Sequence, residues 1–254
     1  MPLNLIAIEE HFITQMYKEK VSANEFRNFY LTSRGQQIGH DIAAENADLG
    51  ASRLKHMDAM GVDVQVLSFG SPGTQGFDAA TAIPMARDAN EKLHEAMRKY
   101  PGRFEGFAAL PTADPDASAR ELERCVKELG FKGAMIHGHT QGSFLDDKKY
   151  WCIFEVAERL DVPIYLHPTY PHADAIKAYF GGYEDLARAA WGFAIDTSTH
   201  FLRIVFSARL EHVGQVLYGA GPRERRHHGL RPRGAAGARQ RVAAGGIRPC
   251  ACQP

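Results

Sequence analysis

Hydrophobic positions over the first 208 residues fall into two kinds of run, and the two kinds alternate. Short, largely apolar runs occupy 3–8, 62–68 (Val-Asp-Val-Gln-Val-Leu-Ser), 104–110, 132–136 and 162–167, and these read as strands. Longer stretches at helical spacing lie between them, over 43–60, 79–100, 117–129 and 148–160, with another over 191–206. The helix near Ala117 has a start signal in Asp114-Pro115-Asp116 and a stop at Gly130,. Strands separated by helices of this length imply βαβ crossovers and a parallel sheet. Right-handed crossovers repeated this often either close a barrel or wind a sheet doubly.

The polar residues choose between those two. Glu9, His11, Ser68, His137, His139 and His167 all fall at or just past the C-terminal ends of predicted strands, which is the catalytic face of a (β/α)₈ barrel. A doubly wound dinucleotide-binding sheet needs a Gly-rich turn after its first strand; here Glu9-Glu10-His11-Phe12 stands in that place. The expected fold is therefore α/β, a TIM-barrel-like (β/α)₈ arrangement. The pattern breaks after Phe206. Residues 221–254 are mostly Arg, Gly, Ala and Pro, with no aromatic residue, no Lys and no period of 2 or 3.6, so they cannot supply a core. A closed barrel still needs three strands there, and 215–220 offers at most one. The chain divides accordingly into a partial barrel over 1–208, a possible remnant of the last barrel strand over 209–220, and a disordered or out-of-frame tail over 221–254. Five strands, or six with 215–220, leave 162–167 and 3–8 as open edges.

Composition narrows the function classes. With 44% hydrophobic and 24% charged residues, the 254-residue chain is that of an ordinary globular protein,. The zero net charge conceals a split, because 221–254 holds eight Arg and one Glu, about +7 against −7 for the rest. The balance argues against a general affinity for nucleic acid or membrane. The basic tail has no aromatic side chain for base stacking, so nucleic-acid binding through it is the weaker alternative. No apolar run of about 18 residues could span a membrane, and no leader-like N-terminus is seen. Cys125, Cys152, Cys250 and Cys252 form no zinc-type pair of pairs; they read as reduced thiols in a cytoplasmic protein.

The candidate chemistry begins with Glu9-Glu10-His11. Alternation along a strand puts Glu9 and His11 on one face and Glu10 on the other. A carboxylate and an imidazole so placed can share one Zn²⁺ or Mn²⁺. The alternative is a polar strand end facing solvent. His167, closing Ile164-Tyr165-Leu166-His167-Pro168, reads alone as a hydrogen-bonded structural residue, but with Glu9 and His11 it completes three donors and an open position. His137 and His139 leave their strand through Gly138 and Gly142, which makes them loop residues, either lining a pocket or incidental. Ser68 and the Ser71-Pro72-Gly73 turn could line it too. His200 and Arg203 fall on a helix, where packing and surface roles are the default. Cys125 and Cys152 fit helix core, and His227-His228 is tail composition.

Several segments in fixed order resemble a known family. They are the Glu-Glu-His-Phe opening at 9–12, Met57-Asp58-Ala59-Met60-Gly61-Val62-Asp63-Val64-Gln65-Val66-Leu67-Ser68, Gly106-Phe107-Ala108-Ala109-Leu110-Pro111, Gly138-His139-Thr140-Gln141-Gly142, Tyr165-Leu166-His167-Pro168-Thr169-Tyr170, and the 191–201 stretch from Trp191 to Phe201. Together they are similar to the second amidohydrolase family, over roughly 4–208. The Glu-x-His opening points to its gamma-resorcylate and 2,3-dihydroxybenzoate decarboxylase side. The resemblance implies non-oxidative decarboxylation of a hydroxylated aromatic acid, a small carboxylic acid as partner, and homo-oligomers among intact relatives. It implies Glu9, His11 and His167 as metal ligands for Zn or Mn, with Ser68, His139 and Phe193 near the substrate. A hydrolase of the amidohydrolase or lactonase type would use nearly the same ligands. The family's Gly-His pair and its Asp before Tyr-Pro, the fourth ligand and implied proton donor, are not found; Gly221-Pro222-Arg223 stands where the latter is expected. The catalytic residues are therefore unassigned. An internal deletion near 207–210 and a frameshift near 220 would account for this and imply an impaired or inactive product; a divergent natural tail is the alternative.

Overall fold

The computed structural model describes residues 5–21, 41–207 and the backbone of 216–218. The expected strand 215–220 is thus described only at its centre. The 221–254 tail with His227-His228, Cys250 and Cys252 lies outside the described residues, as does the 208–215 junction.

Every strand pairing is parallel. The order runs β1 (Ile6–Phe12), β2 (Val64–Phe69), β3 (Phe104–Gly106), then β4 (Ala108–Ala109), β5 (Ala134–His137), β6 (Ile164–His167) and β7 (Val216–Tyr218). The expected strand 104–110 is split at Phe107. Its first part pairs with β2 and its second with β5, and Phe107 N still donates to Leu67 O at 2.9 Å. Six sequential parallel positions with helical crossovers are the (β/α)-barrel arrangement the pattern implied.

The helices are α1 (Gln15–Lys20), α2 (Ile42–Ala47), α3 (Ala51–Met60), α4 (Ala79–Lys99), α5 (Pro115–Lys127), α6 (Trp151–Arg159, after a 3₁₀ turn Lys148–Tyr150), α7 (Ala173–Phe180) and α8 (Gly192–Phe206). The expected single helix over 43–60 is two. Asp48 ends the first by taking the N–H groups of Gly50 and Arg53 on its carboxylate, at 2.8 and 2.9 Å, a local competitor for the helical ladder. Helix α5 begins where its signal lay: Asp114 Oδ1 accepts from Ala117 N at 2.9 Å, and Pro115 sits in the first turn,.

Two apolar layers flank the sheet. The larger lies between strands and helices and includes Leu67, Phe69, Leu93, Leu122, Ile136, Ile153 and Leu166. The smaller consists of Val66, Phe107, Met135 and Tyr165. These four come from adjacent strand positions and form an inner layer, of the kind that fills a barrel. Among the described residues β1 has β2 as its ladder partner and exposes Ile6 and Ile8, with Leu5 exposed just before it. The expectation that 162–167 would form an open edge is corrected: β6 pairs with β7 through Ile164↔Val216, Tyr165↔Leu217 and Leu166↔Tyr218. The apolar Val216-Leu217-Tyr218 run takes up that edge.

Candidate metal centre

Four strand ends converge above the inner layer. His11 pairs in register with Ser68 across β1 and β2, and His137 with His167 across β5 and β6. Paired residues in a parallel ladder project to the same side. The register of β1 shifts between Ala7 and Glu10, so Ile8 and Glu9 together face Val66. This bulge lets Glu9 point inward with His11, while Glu10 turns toward the buried Arg53, whose nearby charge opposes the upward push of burial on the Glu10 carboxyl. Arg53 also fixes the strand end, donating to His11 O at 2.8 Å and Gln65 Oε1 at 3.2 Å.

The side chains of Glu9, His11 and His167 meet, with donor atoms all within 4.8 Å of one another. His11 Nε2 lies 3.1 Å from His167 Nε2, and His167 Nε2 lies 3.3 Å from Glu9 Oε1. Tyr165, two residues before His167 and on its face, donates to Glu9 Oε2 at 2.6 Å. The close contact with His167, together with the hydrogen bond from Tyr165, holds the Glu9 carboxyl down at about 2, against burial. Burial, with His167 alongside, lowers His11 to about 3.

Hydrogen-bond partners assign the ring protons. Ser68 donates to Glu10 O at 3.2 Å, so its oxygen accepts from His11 Nδ1 at 2.9 Å. That leaves Nε2 of His11 a lone pair. His167 Nδ1 lies 2.7 Å from Pro168 O, which can only accept, so Nδ1 carries a proton. Two imidazole nitrogens and a carboxylate oxygen therefore converge as acceptors, and such a set requires a positive charge between them, a proton or a metal cation. Imidazoles each roughly 2 Å from one ion stand about 3 Å apart, so the spacing and the donor types both fit a divalent cation such as Zn²⁺ or Mn²⁺.

A cavity of about 710 Å³ adjoins the cluster and is lined by His137, His139, Thr169, Tyr170, His172 and Arg188, among others. Ser68 is fully buried behind His11 rather than on the cavity wall. His139 lines the cavity, and its Nδ1 accepts from Gly142 N at 3.0 Å. Phe193 stands one layer back, edge-on to the Tyr170 ring at 5.8 Å. His137, expected in a loop, closes β5 and is 2% exposed. It touches His167, with their Nδ1 atoms 3.0 Å apart. Gly138 follows at φ +56°, where an added Cβ would collide with Thr169 and approach Asp196 Oδ2 to 2.9 Å. Sequence reading missed Tyr165 and the part of His137. Strand alternation from His167 could have found the first, and extending β5 by one residue the second. Cys125 is buried in α5, and burial raises its thiol, as befits packing rather than nucleophilic attack.

The model of the amidohydrolase family matches residues 32–215. The gamma-resorcylate decarboxylase of Polaromonas sp. (strain JS666 / ATCC BAA-500) is 37% identical over 212 residues, which cover 80% of this chain and 61% of that protein. A solved 2,6-dihydroxybenzoate decarboxylase complexed with 2,6-dihydroxybenzoate superposes with a TM-score of 0.71 at 33% identity, covering 85% of this chain and 66% of that one. The dihydroxybenzoic acid decarboxylase of Polaromonas sp. JS666, solved with manganese and the inhibitor 2-nitroresorcinol, gives 0.70 at 34% identity, covering 85% and 64%. The chain thus spans somewhat under two thirds of the length of these relatives. With a family match across most of its length, on a barrel whose strand ends gather two histidines and a glutamate, the chain belongs to the amidohydrolase family.

Proposed function

We propose that this chain carries the metal centre of a non-oxidative decarboxylase acting on a hydroxylated aromatic carboxylic acid, such as 2,6- or 2,3-dihydroxybenzoate. The observation that carries the reading is the convergence of His11 Nε2, His167 Nε2 and the Glu9 carboxylate as three acceptors. The names of the relatives, and the manganese and resorcinol-type inhibitor in one of them, support the substrate class. Glu9, His11 and His167 would hold the cation. Bound there, a divalent metal supplies Lewis acidity and a template for neighbouring phenolic and carboxylate oxygens. Tyr165 keeps Glu9 ionised and aimed, and Ser68 orients His11. Pro72, Tyr170 and Ile176 offer apolar contact for a ring, while His139, His172 and Arg188 offer polar groups for its substituents,.

Three donors cluster among the described residues, and the family's further Asp motif is not found in the sequence. Zn²⁺ or Mn²⁺ binding is therefore expected to be weak and substoichiometric after dialysis, and lost in His167→Ala. Elemental analysis checks both, and metal retained in His167→Ala would overturn the ligand assignment. Metal-loaded protein incubated with 2,6-dihydroxybenzoate, beside an intact relative releasing resorcinol and CO₂, should stay at background. Loss of a ligand and proton donor is worth about 10³-fold or more. Turnover by this chain would show that its own residues suffice, and hydrolysis of an ester without CO₂ release would assign the site to a hydrolase.

A further inference from the structure

His167 faces the metal cluster with one ring nitrogen and a second cluster with the other. Around its Nδ1 stand Pro168 O at 2.7 Å, His137 Nδ1 at 3.0 Å and Ser71 Oγ at 3.3 Å. The state of His137 follows from its other side. Its Nε2 lies 2.7 Å from Phe69 O, a pure acceptor, so that nitrogen carries the proton. A second proton, on its Nδ1, would be set against the Nδ1 proton of His167 at 3.0 Å, so His137 carries one ring proton,. Its Nδ1 is then a lone pair, which takes the Ser71 hydroxyl proton at 2.8 Å. With its proton so committed, the Ser71 oxygen faces His167 as an acceptor. Among the described residues around His167 Nδ1, the Pro168 carbonyl and the Ser71 oxygen are the groups placed to accept from it, and neither donates to it.

We propose that His137 and Ser71 are positioning residues that keep the proton of His167 on Nδ1 and so hold its Nε2 lone pair toward Glu9 and His11. The inference rests on the metal-centre reading and extends it to the residues that orient a ligand. The opposite tautomer would set the Nδ1 lone pair of His167 against that of His137 at 3.0 Å and against the Pro168 carbonyl,. The ladder pairing His137↔His167 sets the two side chains next to each other on one face of the sheet, with ring centroids 4.6 Å apart. Loss of such a partner behind a metal-bound histidine weakens metal affinity by about 10–100-fold.

The test uses the full 254-residue chain with Co²⁺ as a spectroscopic probe, and nitrogen NMR of the histidine rings without metal. An asparagine oxygen can occupy the place of an imidazole Nδ1, whereas leucine offers bulk without an acceptor. His137→Asn should therefore keep Co²⁺ affinity near that of the parent, His137→Leu should lose about 10–100-fold, and Ser71→Ala should lose less. A mere packing role predicts the reverse order for the first two, and that result would overturn the proposal. NMR should show His167 protonated at Nδ1 in the metal-free parent. A bare Nδ1 there overturns the proposal even if His137→Leu fails to fold. Failure of the parent to bind Co²⁺ would instead overturn the metal-centre reading, with the NMR result still deciding the tautomer.

Discussion

Asp196 and His200, one turn apart on the buried face of α8, pull the pH dependence of stability in opposite directions. Asp196 is 4% exposed, its Oδ2 has no hydrogen-bond partner among the described residues, and burial raises its carboxyl from 3.8 to about 7. A raised acid contributes stability that is complete below the unfolded value and lost as pH climbs through the folded one. Asp196→Asn should therefore match the parent near pH 4 and exceed it increasingly up to pH 7. The ceiling is roughly 4 kcal/mol at about 1.4 kcal/mol per unit. Thermal melts of both proteins across that range check this; a pH-independent offset would show that the carboxyl does not titrate there. His200 behaves oppositely. It accepts from Leu145 N at 3.0 Å, and burial, with His139 and Arg203 nearby, lowers it to about 3. Stability from this neutral imidazole is present above about 6.5 and lost as pH falls toward 3. Neither role was legible in the sequence. A helical His or Asp gives no sign of which loop packs over it, whereas Glu9, His11 and His167 announced themselves by sitting at strand ends.

At the scale of elements, the two-residue strand β4 beyond the split is held by a side chain. Asn90 of α4 accepts from Ala109 N at 2.9 Å and donates to Ala109 O at 3.0 Å and Glu121 Oε1 at 2.8 Å. It thereby acts as a neighbouring strand would and ties α4 to α5. Asn90→Ala should cost about 2–4 kcal/mol, because the backbone N–H and C=O of buried Ala109 both lose their side-chain partner,. Denaturant unfolding is the check; a loss below about 1 kcal/mol would mean that water replaces the amide. The alternation of strands and helices was readable because each crossover repeats one period change. The short helices α1 and α7 were not, since six and eight residues give too few turns for a period to emerge. The break at Asp48 was hidden for another reason: a side chain that captures backbone N–H groups leaves the hydrophobic pattern on either side intact.

For the whole molecule, one consequence of the strand order is an exposed apolar margin. Leu5 at 52% precedes β1, Ile6 at 54% and Ile8 at 40% lie along it, and Phe206 at 83% ends α8. Exposed strand edges of this composition pair with one another. Concentration-dependent association is therefore expected, read by size-exclusion chromatography with light scattering. A monodisperse monomer with one cooperative melting transition would show that these side chains are covered in solution. The barrel class was legible because polar residues gathered at one end of successive strands. The outcome at 162–167 was less so, since three residues at 216–218 decide it and a run that short carries almost no pattern.

The bulge in β1 gives the strand two independent phases. Counted upward from Ile6 by strict alternation, Glu9 and His11 would share the side of Ala7, facing the helices, and Glu10 would point into the barrel. The extra residue opposite Val66 inverts that parity halfway along. The lower half of the strand, where Ile6 and Ile8 stand exposed, is thus free to change in sequence without moving the donors above it. The upper half answers only to the donors across the barrel mouth. Changes that suit the scaffold and changes that suit the ligand set are thereby uncoupled within seven residues, and the same opening could be carried by scaffolds whose lower strands share nothing.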